Sequence, residues 1–483
     1  VLLDDSHNAE LIRHVHPPDW VNPTPPGRYN LVVIGGGTAG LISALGAAGL
    51  GARVALVERY LLGGDCLNFG CVPSKALLAA AHRAHMSGRK GPEAFTQALD
   101  EVRRLRAAIG AHDSARRMAD AGIDVYFGDP CFVDKNVIVV EGTPLTFRRA
   151  VIATGARAMV PPIPGLEGSG YLTNESVFEM TELPRRLLIL GAGAIGCELA
   201  QAFARLGSIV TLFDMAPRVL PHERPEASKI VADRLRAEGV TLELSASVVR
   251  VEGSTFVLGD GREPSGDAVI VATGRTPNTD GLGLEAGGIS FDGRTGLVVD
   301  DRLRTTNRRV YAAGDVATHL KFTHSADAMA RIVLRNALFG GRAKMSDLVM
   351  PWCTYTSPEV AHVGMTPAQA KAAGDRVLTL HHDLDQVDRA IVDGTTEGFA
   401  SAYVEARSGR VLGASMVAPH AGEAISEMTL AITNKLPISA IGVTIHPYPT
   451  VAESWKRLAD QFQKTRFKPW IARLFARIFR WLR

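Results

Sequence analysis

Two segments of this chain follow one plan, and that plan leaves little choice of fold. Tyr29-Asn30-Leu31-Val32-Val33-Ile34 reads as a buried parallel strand that runs into Gly35-Gly36-Gly37-Thr38-Ala39-Gly40 and a helix. A second strand, Arg53-Val54-Ala55-Leu56-Val57, ends at Glu58, eighteen residues after Gly40. The plan returns at Arg186-Leu187-Leu188-Ile189-Leu190, which leads into Gly191-Ala192-Gly193-Ala194-Ile195-Gly196 and a helix through Leu206. There Ser208-Ile209-Val210-Thr211-Leu212-Phe213 ends at Asp214, again eighteen residues after the last glycine. In such a unit Gly35 or Gly191 makes the turn. Gly37 or Gly193 lets the backbone approach a pyrophosphate, and Gly40 or Gly196 lets helix and strand pack closely. The helix N–H groups hold the pyrophosphate, and Glu58 or Asp214 accepts from a ribose hydroxyl. The sequence therefore predicts two dinucleotide sites in one chain.

Two echoes strengthen the duplication. Ala150-Val151-Ile152-Ala153-Thr154-Gly155-Ala156 parallels Val269-Ile270-Val271-Ala272-Thr273-Gly274-Arg275, each a strand leaving by a tight turn at Gly155 or Gly274. Val310-Tyr311-Ala312-Ala313-Gly314-Asp315 is a strand ending in an acid that can accept from a ribityl hydroxyl.

After the second strand of the first unit lie Cys66 and Cys71, in Gly63-Gly64-Asp65-Cys66-Leu67-Asn68-Phe69-Gly70-Cys71-Val72-Pro73-Ser74-Lys75. A helix is predicted to follow at once, with Pro73 near its first turn. Cys71 then sits at a helix N-terminus, where partial positive charge favours a thiolate. Cys66, farther out, is placed to attack a substrate. A zinc site would need more ligands, and no second cysteine pair has metal spacing; His14, His16, His381 and His382 read as surface residues. No metal site is predicted.

Five cysteines in 483 residues do not make a disulfide scaffold, which points to a reducing, cytoplasmic setting. Asp4, Asp5 and Glu10 interrupt any secretory apolar run. The net charge of +3 is too small to imply nucleic acid. Its distribution matters more: residues 464–483 carry seven basic side chains and no acidic one. Within them Trp470, Ile471, Leu474, Phe475, Ile478, Trp481 and Leu482 recur at helical spacing, opposite Arg473, Arg477 and Arg480. Such a helix either packs on the protein body or lies on the inner face of an anionic membrane through residues 466–483.

Together these motifs resemble the flavin-dependent pyridine nucleotide–disulfide oxidoreductases with a CxxxxC redox pair, over about residues 28–460. The resemblance implies two Rossmann-like α/β domains for FAD and NAD(P)H, an α+β C-terminal dimerisation domain and a homodimer. The corresponding division is an N-terminal irregular arm, 1–28; FAD-binding parts, 29–165 and 276–343; an NAD(P)H-binding part, 166–275; a dimerisation domain, 344–463; and the basic tail, 464–483. It implies that Gly35, Gly37, Gly40, Glu58, Gly155 and Asp315 serve FAD. Gly191, Gly193, Gly196, Asp214 and Gly274 would serve the nicotinamide cofactor. Cys71 becomes the charge-transfer thiol beside the flavin and Cys66 the interchange thiol. Lys75 and Glu198 become an ion pair near flavin N5, where a cation stabilises the reduced ring. Asp214, followed by Met215 and Ala216 and with no arginine before Arg218, favours NADH over NADPH.

The last family motif departs from the dithiol-handling branches. Those place a histidine before Pro-Thr and a glutamate five residues after it, as an acid/base pair reaching across the dimer. Here Ile445-His446-Pro447-Tyr448-Pro449-Thr450 puts Tyr448 at that position and Glu453 at the acid, as in mercuric reductases. His446, two residues earlier, is the alternative proton carrier, since histidine titrates near pH ~6.5 and tyrosine near ~10. No cysteine follows Cys353, so the C-terminal cysteines of mercuric reductases are missing. The resemblance implies electron transfer from NAD(P)H through FAD and Cys66–Cys71 to a small disulfide or thiol-reactive metal ion. The alternatives are a dihydrolipoamide dehydrogenase-like enzyme and a membrane-peripheral carrier reducing quinones.

Overall fold

The computed structural model describes residues 2–467 and 469–483, without the side chains of residues 469 and 471. The chain divides into two compact units, residues 1–217 with 235–348, and residues 218–234 with 349–483.

In the first unit, the strands Ile123–Phe127, Val54–Glu58, Tyr29–Ile34 and Thr143–Ile152 lie side by side in that order, all parallel. Val310–Ala312 joins the far side of Thr143–Ile152 in parallel register, Val310 opposite Ala150. Leu31, Val32, Val33 and Ile34 are all buried, which explains why this run does not alternate: both faces of the sheet are covered. The helices Thr38–Gly49 and Thr323–Phe339 pack against each other on one face. A second parallel sheet orders Thr241–Leu244, Ile209–Asp214, Arg186–Leu190 and Ala268–Val271. The duplicated plan thus gives two Rossmann-like sheets, each followed by a glycine turn and a helix.

The expected irregular arm contains a helix, Ser6–Val15. Asp5 caps it, accepting from the Asn8 amide at 2.7 Å, and Leu11 and Val15 are buried in the first core. The prolines at 17, 18, 23, 25 and 26 mark only the segment after it.

The second unit is α+β. Five antiparallel strands run in the order Pro351–Thr354, Glu359–Gly364, Val411–Ala418, Phe399–Glu405, Val377–Asp383. The helices Ala421–Thr433 and Glu453–Arg466 contribute Met428, Trp455, Leu458 and Phe462 to its core. The tail forms the helix Pro469–Trp481, with Leu474, Phe475, Phe479 and Trp481 exposed. Lys468 and the Ile471 side chain, both counted in the basic amphipathic tail, lie outside the described residues.

Candidate active site

The two fingerprints fold the same way at their first and last glycines. Gly35 has φ +101° and Gly191 +109°, the left-handed region that favours glycine. A Cβ on either would lie 2.4 Å from a backbone oxygen, that of Ala153 or Ala272. A Cβ on Gly40 would lie 1.7 Å from the Gly35 oxygen, and one on Gly196 would lie 1.8 Å from the Gly191 oxygen. The last glycine of each motif is therefore fixed by the first, as well as by helix–strand packing. Above Gly193 a Cβ would meet nothing within 4 Å, so the backbone there is open to a ligand.

The two strand-end acids do more than await a ribose. Glu58 accepts the Gly36 amide at 2.6 Å and the Tyr60 amide at 2.8 Å. Asp214 accepts those of Ala192 at 2.6 Å and Ala216 at 2.7 Å. Each carboxylate holds its glycine loop in place and keeps lone pairs for further donors. Burial pushes the Glu58 carboxyl up, against the two amides that lower it.

Cys66 lies in the short helix Gly64–Asn68, and Cys71 is the first residue of the helix Cys71–Met86. Both are free thiols. The Cys66 thiol donates to the Cys71 sulfur, which also lies 3.3 Å from the Thr323 hydroxyl. That donation, helped by Thr323 and the Lys75 cation, lowers the Cys71 thiol to about 6, against the opposing effect of burial. The same bond, with burial and the Cys71 charge, pushes Cys66 up. The arrangement sets Cys71 as thiolate and Cys66 as thiol at neutral pH.

One helical turn on, Lys75 Nζ meets Glu198 Oε2 at 2.8 Å. Glu198 comes from the second fingerprint's helix, Ala194–Leu206, which packs on Cys71–Met86 and leaves its carboxylate 5% exposed. The residues paired on paper by resemblance are thus in contact.

Three residues near this pair escaped the sequence reading. Arg275, at the turn after Gly274, bridges Asp65 at 3.1 Å and Asp315 at 3.5 Å. Asn174 also donates to Asp65, at 2.8 Å. Thr323 lies 252 residues from Cys71 in the chain. A signal for Arg275 existed: the duplicated Ala-Thr-Gly turn carries Ala156 in one copy and arginine in the other. Burial raises the Asp315 carboxyl, and Arg275 and Lys321 oppose that. Arg275 Nε is buried and makes no hydrogen bond. A buried cation whose Nε has an ion-pair partner but no hydrogen bond, and whose Nη2 donates to the Ala156 carbonyl at the Gly155 turn, fits a pyrophosphate-bearing cofactor. The chain's residues are therefore compatible with FAD in the first sheet's crevice.

The second unit places its acid/base candidates differently from expectation. The Tyr448 hydroxyl donates to Asp388 at 2.6 Å, and Tyr448 is 70% exposed. Its partner Asp388 is the main cause that pushes the phenol up. His446 Nε2 meets Glu427 at 3.0 Å, and its Nδ1 faces the Thr444 carbonyl at 3.1 Å. Glu453 instead pairs with Arg457, one turn along its own helix, at 2.8 Å. The structure brings Glu453 to neither Tyr448 nor His446 by hydrogen bond; Asp388 and Glu427 take those places. His381 is also less isolated than its sequence context implies. Its Nε2 lies 2.9 Å from Asp383 and 3.5 Å from Glu226.

The family model "Pyridine nucleotide-disulphide oxidoreductase" matches residues 29–330, and its "dimerisation domain" companion matches residues 350–459. A mercuric reductase from Bacillus cereus is 36% identical over 452 residues, covering 90% of this chain and 72% of that protein. A dihydrolipoyl dehydrogenase from Thermus scotoductus is 34% identical, covering 90% of this chain and 98% of that protein. Among solved structures, the HOCl-induced flavoprotein disulfide reductase RclA from Escherichia coli superposes with TM-score 0.83 at 32% identity, covering 89% of this chain and 99% of its own. RclA has also been solved as a Cu(II) complex.

Proposed function

We propose a function from one premise: this chain belongs to the pyridine nucleotide-disulphide oxidoreductase family. Membership makes it an enzyme, a flavoprotein disulfide oxidoreductase that uses FAD and NAD(P)H, and its dimerisation domain supports a homodimer. No helix among the described residues is long and apolar enough to cross a membrane.

Within that family we read the chain as an NADH-linked reductase of thiol-reactive metal ions or small disulfides, in the manner of the mercuric reductases. The observation that carries this is the convergence of Cys66, Cys71 and Thr323 at a helix N-terminus, one turn from the Lys75–Glu198 pair. In this reading Gly35, Gly37, Gly40, Glu58, Gly155 and Asp315 hold FAD, with Arg275 added by its geometry. Gly191, Gly193, Gly196, Asp214 and Gly274 hold the nicotinamide cofactor. When bound, FAD supplies the two-electron relay between NAD(P)H and the cysteine pair. Glu198 fixes Lys75, whose cation stabilises negative charge developing beside it.

The proton arrangement sets the order of events at sulfur. As the Cys66 sulfur attacks a disulfide R–S–S–R, its proton passes along the hydrogen bond to Cys71. One R–S⁻ leaves and a Cys66–S–R bond forms. The departing R–S⁻ takes the proton from Cys71 and leaves as R–SH; Cys71, a thiolate again, attacks the Cys66 sulfur, the second R–S⁻ leaves and the Cys66–Cys71 bond closes. A soft metal ion needs less: it displaces the Cys66 proton to water and is held by two thiolates, with no leaving thiol to protonate. Tyr448, a poor proton carrier at neutral pH, fits the metal acceptor better than a dithiol product. The mercuric reductase relatives and the Cu(II) complex of RclA are in keeping with this. NADH fits better than NADPH because Arg218 Nη2 is engaged by the Pro221 carbonyl at 2.6 Å and that of Glu223 at 3.2 Å.

The test is anaerobic NADH and NADPH oxidation by purified holoenzyme against Hg(II), Cu(II), glutathione disulfide, lipoamide and quinones, with Cys66→Ser beside wild type. Metal or disulfide turnover that vanishes in Cys66→Ser supports the reading. Quinone turnover that survives Cys66→Ser, with no metal or disulfide turnover in wild type, sinks it in favour of a quinone-reducing carrier. Rapid dihydrolipoamide oxidation would move the chain to that branch instead. The exposed aromatic face of Pro469–Trp481, with Arg473, Arg477 and Arg480, separately supports peripheral contact with an anionic bilayer.

A further inference from the structure

A cavity unrelated to this chemistry lies where two parallel strands begin to pair. Ala150 sits opposite Val310, and both strands run from there toward Gly155 and Asp315. Just before that pairing opens a cavity of about 260 Å³, lined by Arg149, Arg302, Arg304, Arg308, Tyr311 and Asn336. We propose that it binds a small anion carrying two or more phosphate groups, at a place separate from both dinucleotide sites.

The charge balance is one-sided. The nearby Asp300 carboxylate is taken by Arg304 at 2.7 Å. Among the described residues Arg149 donates only to the Arg148 carbonyl, at 3.3 Å, and its Nε is buried with no hydrogen-bond partner. The guanidinium groups of Arg302 and Arg308 make no hydrogen bond or ion pair among the described residues. Three guanidinium groups thus share one concavity with no ion-pair partner of their own among the described residues. Like charges held together repel, and a buried donor without an acceptor is costly. A phosphate chain relieves both, because the planar guanidinium fork matches phosphate oxygens in pairs.

A simpler use would be to complement the negative C-terminal end of the helix Thr323–Phe339. Its Asn336 carbonyl, however, accepts from the Tyr311 hydroxyl at 3.3 Å, and none of the four arginines donates to that helix among the described residues. The helix end and Asp300 reduce the positive potential without cancelling it. The Tyr311 ring is 4% exposed and cannot stack a base, so the cavity recognises the phosphates rather than a nucleoside. This inference does not rest on the redox reading.

The test is isothermal titration of the FAD-loaded enzyme with pyrophosphate, in the presence of saturating NAD⁺ to close the second nucleotide site. One pyrophosphate per protomer is expected, with affinity falling as salt rises. Arg302→Ala and Arg308→Ala should each weaken it about tenfold, while the exposed control Arg13→Ala should not. Unchanged melting temperature and NADH oxidation in Arg308→Ala exclude misfolding as the cause. ATP should bind no tighter than pyrophosphate. No binding by pyrophosphate, equal binding by wild type and the Arg302→Ala/Arg308→Ala double variant, or capture of RNA alone would overturn the proposal.

Discussion

Replacing Gly40 by alanine places a methyl carbon 1.7 Å from the Gly35 carbonyl oxygen. Comfortable non-bonded separation is about 3.5 Å, so the helix Thr38–Gly49 must retreat from the glycine loop. Alanine favours a helix over glycine by about 1 kcal/mol, while overpacking costs about 1–3 kcal/mol. The obstacle here is backbone, which has no rotamer to yield, so the upper end applies and the loss wins by about 2 kcal/mol. A ligand seated on that loop should then bind about 30-fold more weakly. Gly196→Ala repeats the experiment in the second fingerprint, at 1.8 Å from the Gly191 oxygen. Gly40→Ala should be purified short of FAD, with its dissociation constant raised in fluorescence titration. Gly196→Ala should keep its FAD and lose affinity for NADH, read by rapid-mixing reduction. Full FAD occupancy with unchanged affinity in Gly40→Ala, or an exchange of the two phenotypes, would refute the assignment of one nucleotide to each loop.

Other outcomes follow from the same geometry. Lys75→Met leaves the Glu198 carboxylate buried opposite a neutral chain; breaking a buried pair costs about 3–5 kcal/mol. The low end applies because Lys75 is 35% exposed; thermal unfolding reads the loss, and flavin reduction should slow with it. Because the Cys71 thiol is lowered to about 6, thiolate absorbance of the reduced pair should grow by one equivalent per chain as pH rises through that value, and fall below it. Cys66 should titrate above the ordinary thiol range. Tyr448→Phe should leave metal turnover within a few-fold if the phenol only positions an acceptor, and kcat against pH checks this. Deleting residues 466–483 should abolish flotation with anionic vesicles; equal flotation of both forms defeats the membrane contact.

What the sequence disclosed was whatever is written in local spacing. The glycine loops, their acids and the cysteine pair each lie within about thirty residues, so their geometry follows from strand and helix period alone. Lys75 and Glu198, 123 residues apart, were paired only through resemblance. Arg275 and Asn174 meet Asp65, the neighbour of Cys66, and Thr323 meets Cys71; the three come from distant segments, and no local pattern announces such a meeting. The Ser6–Val15 helix was hidden by the prolines that follow it, although Asp5 supplied a cap. In the second unit the pairing expected for Glu453 was displaced by closer partners: Arg457 on its own helix, Asp388 for Tyr448 and Glu427 for His446.

The central claim is that Cys71 lies against the flavin as a thiolate while Cys66 faces the acceptor. Absorbance spectra of the two single variants, Cys66→Ser and Cys71→Ser, as oxidised holoenzymes above pH 6 test it most directly. Cys66→Ser should show a long-wavelength thiolate–flavin band that fades as the Cys71 thiolate is protonated at low pH, and Cys71→Ser should show none. The band in Cys71→Ser instead, or in neither protein, contradicts the account.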